Sequence, residues 1–188
     1  QNLKDSGIKE SADLVFVFCS RTLLEDASKF DEIKGFYPNS DIILGSTSGE
    51  IIEDLVYDDS LAVTAVKFEK TQTQVSSMDI SECADSFEAG VKVAEKLAGE
   101  GLAHVFLLTD GLNVNGSEIV KGINSKLDES VPCTGGLAGD AANFEKTLVG
   151  LNQAPAQNQI VAVGFYGDDL EVGYGSVGGW DNFGAERL

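Results

Sequence analysis

The sequence predicts an α/β protein built from two pseudo-symmetric (α)βαβββ repeats, with mixed sheets and the helices outside. Three observations carry that reading. The chain repeats itself at one offset. Val15-Phe16-Val17-Phe18 matches Val105-Phe106-Leu107-Leu108, which lies 90 positions on (105 − 15). Gly45-Ser46-Thr47-Ser48-Gly49-Glu50 matches Gly135-Gly136-Leu137-Ala138-Gly139-Asp140 at the same offset, and Phe30, Ile33 and Tyr37 fall on Val120, Ile123 and Leu127. One spacing held through strand, helix and loop is the mark of an internal duplication. Next, each copy opens with a short apolar run, a helical pattern and a second apolar run, as in a parallel βαβ unit with a right-handed crossover. Finally, each copy closes with strand-like runs separated by turn residues.

The repeats cover about residues 3–80 and 84–176 of a single 188-residue unit. Residues 3–11 read as the end of a helix. Residues 14–19, nearly all apolar and rich in Val and Phe, predict a strand buried on both faces. Apolar positions 23, 24, 27, 30, 33, 36 and 37 have helical spacing, ended by Pro38-Asn39-Ser40-Asp41. Ile42-Ile43-Leu44 is a second short strand. Residues 61–68 and 71–78 predict two antiparallel strands joined near Glu69-Lys70, the second with a wet Thr/Gln face. Residues 86–97 predict a helix that Gly99 and Gly101 stop.

In the second copy, residues 105–109 predict a strand and residues 117–127 a helix capped by Gly116-Ser117. Cys133-Thr134 leads into the next glycine loop. Residues 160–166 and 170–174 predict a hairpin across Gly167-Asp168-Asp169. Residues 141–159, polar and longer, read as either an extra hairpin or a mobile loop. Residues 176–188 hold the single Trp, Trp180, among glycines and read as an exit segment of a chain that continues. Of edge-to-edge and face-to-face joining of the halves, the stacked sandwich is favoured.

Composition narrows the function classes. Thirteen basic against 31 acidic residues give a net charge of −18. That disfavours nucleic-acid backbones and anionic lipid, both of which need clustered Lys and Arg. No apolar stretch approaches the ~18 residues of a membrane span, and no signal peptide is visible. Cys19, Cys83 and Cys133 are odd in number and scattered, which suits a reducing cytosol and forms no metal-ligand spacing. The expectation is a cytoplasmic protein.

The candidate site residues lie where the strands predict loops. Gly45–Gly49 offers close backbone approach, and Ser46, Thr47 and Ser48 offer hydroxyls for an anion such as a carboxylate; the alternative is a tight strand-exit turn. Gly135 and Gly136 would approach a ligand with backbone only, while Asp140 or Asn143 would hold an ammonium or cap the next turn. Arg21 and Asp110 follow the first strand of each copy, and ligands favour the carboxyl ends of parallel strands. Arg21 would pair a carboxylate or form a surface salt bridge, and Asp110 would bind or start a turn. His104 begins a strand, so a strand-edge role competes with haem ligation. Asp110, Asp140 and Glu50 could gather at strand ends around a divalent metal, though their spacing does not demand it. Tyr166, Tyr174 and Trp180 would line an apolar pocket or pack in the core. The serines have no evident imidazole partner, and no HExxH, P-loop or Rossmann fingerprint occurs, so no enzyme is expected.

The runs VFVFCS, IILGSTSGEI, VFLLTDG, CTGGLAGDAANF, VAVGFYGDDLEVGYGS and GWDNFGAER resemble the N-terminal FIST (F-box and intracellular signal transduction) domain over nearly the whole chain. The resemblance implies a ligand-sensing module of signal-transduction proteins. It would be followed by a C-terminal FIST unit and a downstream signalling domain. Its small-molecule ligands would be amino acids or small carboxylates. Haem association, claimed for some members, would make a gas sensor the alternative, and a non-catalytic interaction scaffold is a third.

Overall fold

The computed structural model describes residues 11–175. The helix end expected over residues 3–11, Ser11 apart, and the exit segment with Trp180 lie outside the described residues. Among the described residues there are ten strands and four α-helices, and the two four-stranded sheets and the helices form a helix–sheet–sheet–helix stack. The elements are β1 (Leu14–Ser20), α1 (Arg21–Leu24), α2 (Ser28–Phe36), β2 (Asp41–Thr47), β3 (Glu50–Ile52), β4 (Leu55–Tyr57), β5 (Leu61–Val66), β6 (Gln72–Asp79), α3 (Ser86–Leu97), β7 (Leu102–Thr109), α4 (Gly116–Asn124), β8 (Cys133–Leu137), β9 (Val149–Leu151) and β10 (Gln159–Tyr166).

The first sheet has the order β5-β1-β2-β9 and the second β6-β10-β7-β8; β3 and β4 form a separate hairpin. In each sheet one parallel pair, β1–β2 or β7–β8, lies beside an antiparallel strand, β5 or β10. Strand alternation builds three apolar layers. Val15, Val17 and Cys19 of β1 turn to α1 and α2, whereas Leu14, Phe16 and Phe18 turn to the other sheet. Val105 and Leu107 of β7 turn to α3 and α4, whereas Phe106 and Leu108 turn inward. Phe16 meets Phe106 edge to face across the middle layer, with ring centroids 5.1 Å apart. Both sheets are therefore covered on both faces, which is why their central strands read as continuous apolar runs.

Helices α3 and α4 cross at a contact that only glycine permits. A Cβ on Gly90 would lie 2.1 Å from the carbonyl oxygen of Ile119, and one on Gly122 would lie 2.1 Å from that of Phe87. Asp85 caps α3 by accepting from the Glu88 amide at 2.8 Å. Asn115, rather than Gly116-Ser117, caps α4 by accepting from the Ser117 and Glu118 amides.

The mixed α/β class holds, but the two halves are not separate (α)βαβββ units. β6 leaves the first half and pairs with β10 in the second sheet, while β9 leaves the second half and pairs with β2 in the first. The expected β5–β6 hairpin is absent because Phe68 dives between the sheets. Its amide donates to Asp13 Oδ2 at 2.8 Å, and its ring meets Phe165 at 5.9 Å. The expected partner for β10 over residues 170–174 is likewise replaced by β6 and β7, and Leu170 packs into the middle layer. The 90-residue offset also slips in the pairing: Gly45 sits opposite Phe18, but Gly136, not Gly135, sits opposite Leu108.

The single helix expected over residues 23–37 is two. Asp26 Oδ1 accepts from both the amide and the hydroxyl of Ser28, which ends α1 and restarts the chain as α2. Of its two alternatives, the 141–159 segment takes a short form of the extra hairpin: β9 pairs with β2 in the first sheet, and Val149 bridges Ala156 antiparallel. The β3–β4 hairpin, which the sequence reading missed, leaves Ile51, Leu55 and Val56 exposed.

Candidate functional site

The two glycine loops converge at the carboxyl ends of β1 and β2. The Gly139 amide donates to the Ser46 carbonyl at 2.8 Å and ties one loop to the other. Beside this tie lies a cleft of about 150 Å³ lined by Ser20, Arg21, Thr22, Thr47, Ser48, Gly49, Glu50, Asp58, Asp59, Asp140, Ala141 and Asn143. It gathers five of the residues singled out from sequence: Arg21, Thr47, Ser48, Asp140 and Asn143. Ser20, Thr22, Asp58 and Asp59 are members that sequence reasoning missed. The aspartates follow β4, and nothing in their local pattern reports that the hairpin folds back on the β1 exit.

An ion pair closes the floor. Arg21 Nε donates to Asp140 Oδ1 at 2.6 Å, and Arg21 Nη1 donates to Glu25 at 2.9 Å. Asp140 is buried, and its Oδ2 accepts from the Lys146 amide at 2.9 Å and the Glu145 amide at 3.1 Å. Desolvation alone would raise its pKa. The two amides, Asn143 and Arg21 override that and hold it at about 2, so it is a carboxylate at neutral pH. Asp140 correspondingly raises the Arg21 pKa. Glu50 is buried and braced: it accepts from the Thr47 hydroxyl, the Ser60 amide at 3.0 Å and the Ser60 hydroxyl at 2.7 Å. Ser48, Asp58 and Asp59 face solvent at the mouth.

Four of the candidate site residues are placed elsewhere. Ser46 is buried, and its hydroxyl accepts the Leu148 amide at 2.9 Å, so it fastens β9 to β2 instead of facing a ligand. Asp110 is fully buried. It accepts from the amides of Leu112 and Asn113 at 2.8 and 2.7 Å and of Asn158 at 2.9 Å, which makes it the turn residue of the two readings. Gly135 and Gly136 line a different cleft, of about 420 Å³, along β8 and α4 with Leu107, Ile119, Val120, Cys133, Leu137 and Tyr174. Tyr166 lies outside both clefts and donates to the Leu97 carbonyl at 2.6 Å. A broader groove of about 800 Å³ runs between α2 and the β3–β4 hairpin, but it holds none of the candidate residues. The strand-end cleft is preferred because converging polar groups at strand termini, rather than size, define a binding site.

His104, Cys19 and Cys133 are poorly placed to ligate haem. His104 is 3% exposed, its Nε2 is within 2.8 Å of Thr134 Oγ1, and it lines none of the clefts described. Cys133 reaches a cleft, but desolvation pushes its thiol up to about 11, against the thiolate that iron ligation needs. Burial, with Glu50 nearby, pushes the Cys19 thiol up to about 12. Among the described residues, no three His, Cys, Asp or Glu side chains are grouped to hold a metal ion. No helix among them is long and apolar enough to cross a membrane.

The fold is a stacked pair of mixed sheets, flanked by helices, with a polar cleft at the strand ends. The model of one family, the FIST N domain, matches residues 13–188, and the chain belongs to that family of signal-transduction-associated domains. Comparison with curated proteins gave no match.

Proposed function

We propose that this chain is the small-ligand-binding sensory module of a cytoplasmic signalling protein, and that its ligand is a small amino acid held in the strand-end cleft. The observation that supports this most is the charge layout. One guanidinium lies at the floor, two solvent-facing carboxylates, Asp58 and Asp59, lie at the mouth, and the Ser48 hydroxyl is nearby. A zwitterion matches both ends: its carboxylate would share Arg21 with Asp140, and its ammonium would meet Asp58 and Asp59. A volume of about 150 Å³ corresponds to about five waters at roughly 30 Å³ each, which favours a small side chain. Small carboxylates without an ammonium would meet net negative charge and bind less well.

Binding would act as a signal because Arg21 belongs to the first half and Asp140 to the second. A ligand that competes for Arg21 favours one arrangement of the two loops, and that bias passes to whatever follows the module. Catalysis is not part of the proposal: the cleft hydroxyls have no imidazole beside them, since the chain's single histidine is engaged by Thr134.

The test is a thermal-shift screen against amino acids, small carboxylates, divalent metals and hemin. A ligand at a hundredfold excess over its dissociation constant adds about 2.7 kcal/mol to native stability. An upward shift with one amino-acid class, lost in Arg21→Ala and in the Asp58→Asn/Asp59→Asn double variant, is expected. A shift that both variants retain, or one given only by hemin, overturns the proposal.

A further inference from the structure

The first sheet carries an antiparallel strand, β9, on the outer edge of β2. Its counterpart in the second sheet, β8, ends the order β6-β10-β7-β8 and carries none among the described residues. The two edges are otherwise alike, since β2 and β8 each run parallel to the first strand of their half. The Val105 amide donates to the Pro132 carbonyl at 3.0 Å, and the Ala138 amide donates to the Thr109 carbonyl at 2.8 Å. In a parallel ladder that parity commits the even-numbered residues of β8 to β7. The backbone N–H and C=O groups of Cys133, Gly135 and Leu137 therefore point to the open edge.

That edge lacks the usual protections. The strand Cys-Thr-Gly-Gly-Leu has no charged side chain and no proline, and residues 135–137 are exposed. Gly135 has φ +147, and a Cβ there would lie 1.8 Å from the Leu107 carbonyl oxygen, so no larger residue can screen the strand at that point. The 420 Å³ cleft beside it has no charged lining residue. Ile119, Val120 and Leu137 form an apolar seat next to these outward-pointing backbone groups, which pair with none of the described residues. By contrast, the outer edge of β9 is closed by its own chain through the Val149–Ala156 bridge.

We infer that the β8 edge is a docking site for an extended strand of a partner polypeptide, which would pair with Cys133, Gly135 and Leu137 as β9 pairs with β2 and place one apolar side chain against Ile119 and Val120. The chain's net charge of −18 selects a partner strand with basic flanks. The same charge opposes a second copy of this chain in that place.

The test uses the full 188-residue chain and a synthetic peptide that carries the β9 sequence, residues 147–152, flanked by lysines. Amide resonances are followed by NMR. The expected result is a shift at Cys133, Gly135 and Leu137, with hydrogen exchange there slowed by about tenfold or more. The effect is lost when alternate peptide amides that face β8 are N-methylated, and it is kept when the other set is methylated. Leu137→Pro removes one outward amide and leaves the ladder to β7 intact, so it weakens binding in a protein that still folds. Shifts at β5 or elsewhere instead of β8, or no shift at millimolar peptide, overturn the inference. So does slow exchange of these amides in the free chain, which places the chain's own residues on the edge if independent of protein concentration and a second copy there if dependent on it.

Discussion

Arg21 and Asp140 stand 119 positions apart and meet at 2.6 Å, so one hydrogen-bonded ion pair ties the exit of β1 to the loop after β8. The pair is asymmetric. Asp140 is buried and also gathers the amides of Glu145 and Lys146, whereas Arg21 keeps 18% of its side chain exposed and has Glu25 as a second partner.

That asymmetry sets the cost of each deletion. Asp140→Ala leaves two amides and a guanidinium without their acceptor and is expected to lower stability by about 2–4 kcal/mol. Arg21→Ala removes the more exposed partner and is expected to cost less than Asp140→Ala. Urea unfolding of both singles and the double measures this. Equal costs for the two singles would contradict the picture of Asp140 as the hub.

Acid should loosen the same loop. Asp140 titrates at about 2 in the fold, below its ordinary value near 3.8. The unfolded chain therefore binds the proton more readily in that window. The contribution of Asp140 is fully present above about pH 5 and is lost as pH falls through about 2. The pH-stability profile of Asp140→Asn should be flatter than that of the parent below pH 4, and parallel profiles would count against the assignment.

A second pH effect comes from His104. Burial lowers its pKa, and its Nδ1 has no hydrogen-bond partner among the described residues. The unfolded histidine titrates at about 6.5, so the unfolded state takes up the proton first as pH falls. Stability tied to His104 is present above that pH and declines below it. His104→Leu is expected to remove the decline between about pH 7 and 5, which thermal melts across that range would read directly.

Glycines give opposite outcomes by position. Gly90→Ala and Gly122→Ala each drive a methyl group into the facing helix backbone and are expected to cost about 2–3 kcal/mol. Gly35, also helical, has nothing within 4 Å of an added Cβ. Gly35→Ala is expected to stabilise by about 0.5–1 kcal/mol. Denaturant midpoints for the three variants separate the two classes.

The strands β1, β2 and β7 and helix α3 are legible because burial on two faces, or on one stripe, writes itself into the residue order. Pairing partners are not. The alternation in residues 71–78 reports that β6 has two unlike faces but says nothing about which edge it joins, so the crossing at Phe68 stays hidden. Residues 50–57 look like the tail of a glycine loop, because the exposed Ile51, Leu55 and Val56 break the usual relation between apolar side chains and burial. The site was half legible for a related reason. Of the residues that strand-end position put forward, Arg21, Thr47, Ser48, Asp140 and Asn143 line one cleft, whereas the polar atoms of Ser46 and Asp110 turn inward to satisfy backbone groups. Position along a chain fixes where a loop begins, and only the folded neighbours decide which way its side chains turn.

The exchange of β6 and β9 makes the protein a pair of interlocked pieces. Severed near residue 82, each fragment would lack a strand that its own sheet needs and would carry one that belongs to the other. Neither piece is a domain in its own right. Co-produced, the pieces should find each other and restore the whole, which makes the junction between them a natural place to build a split reporter.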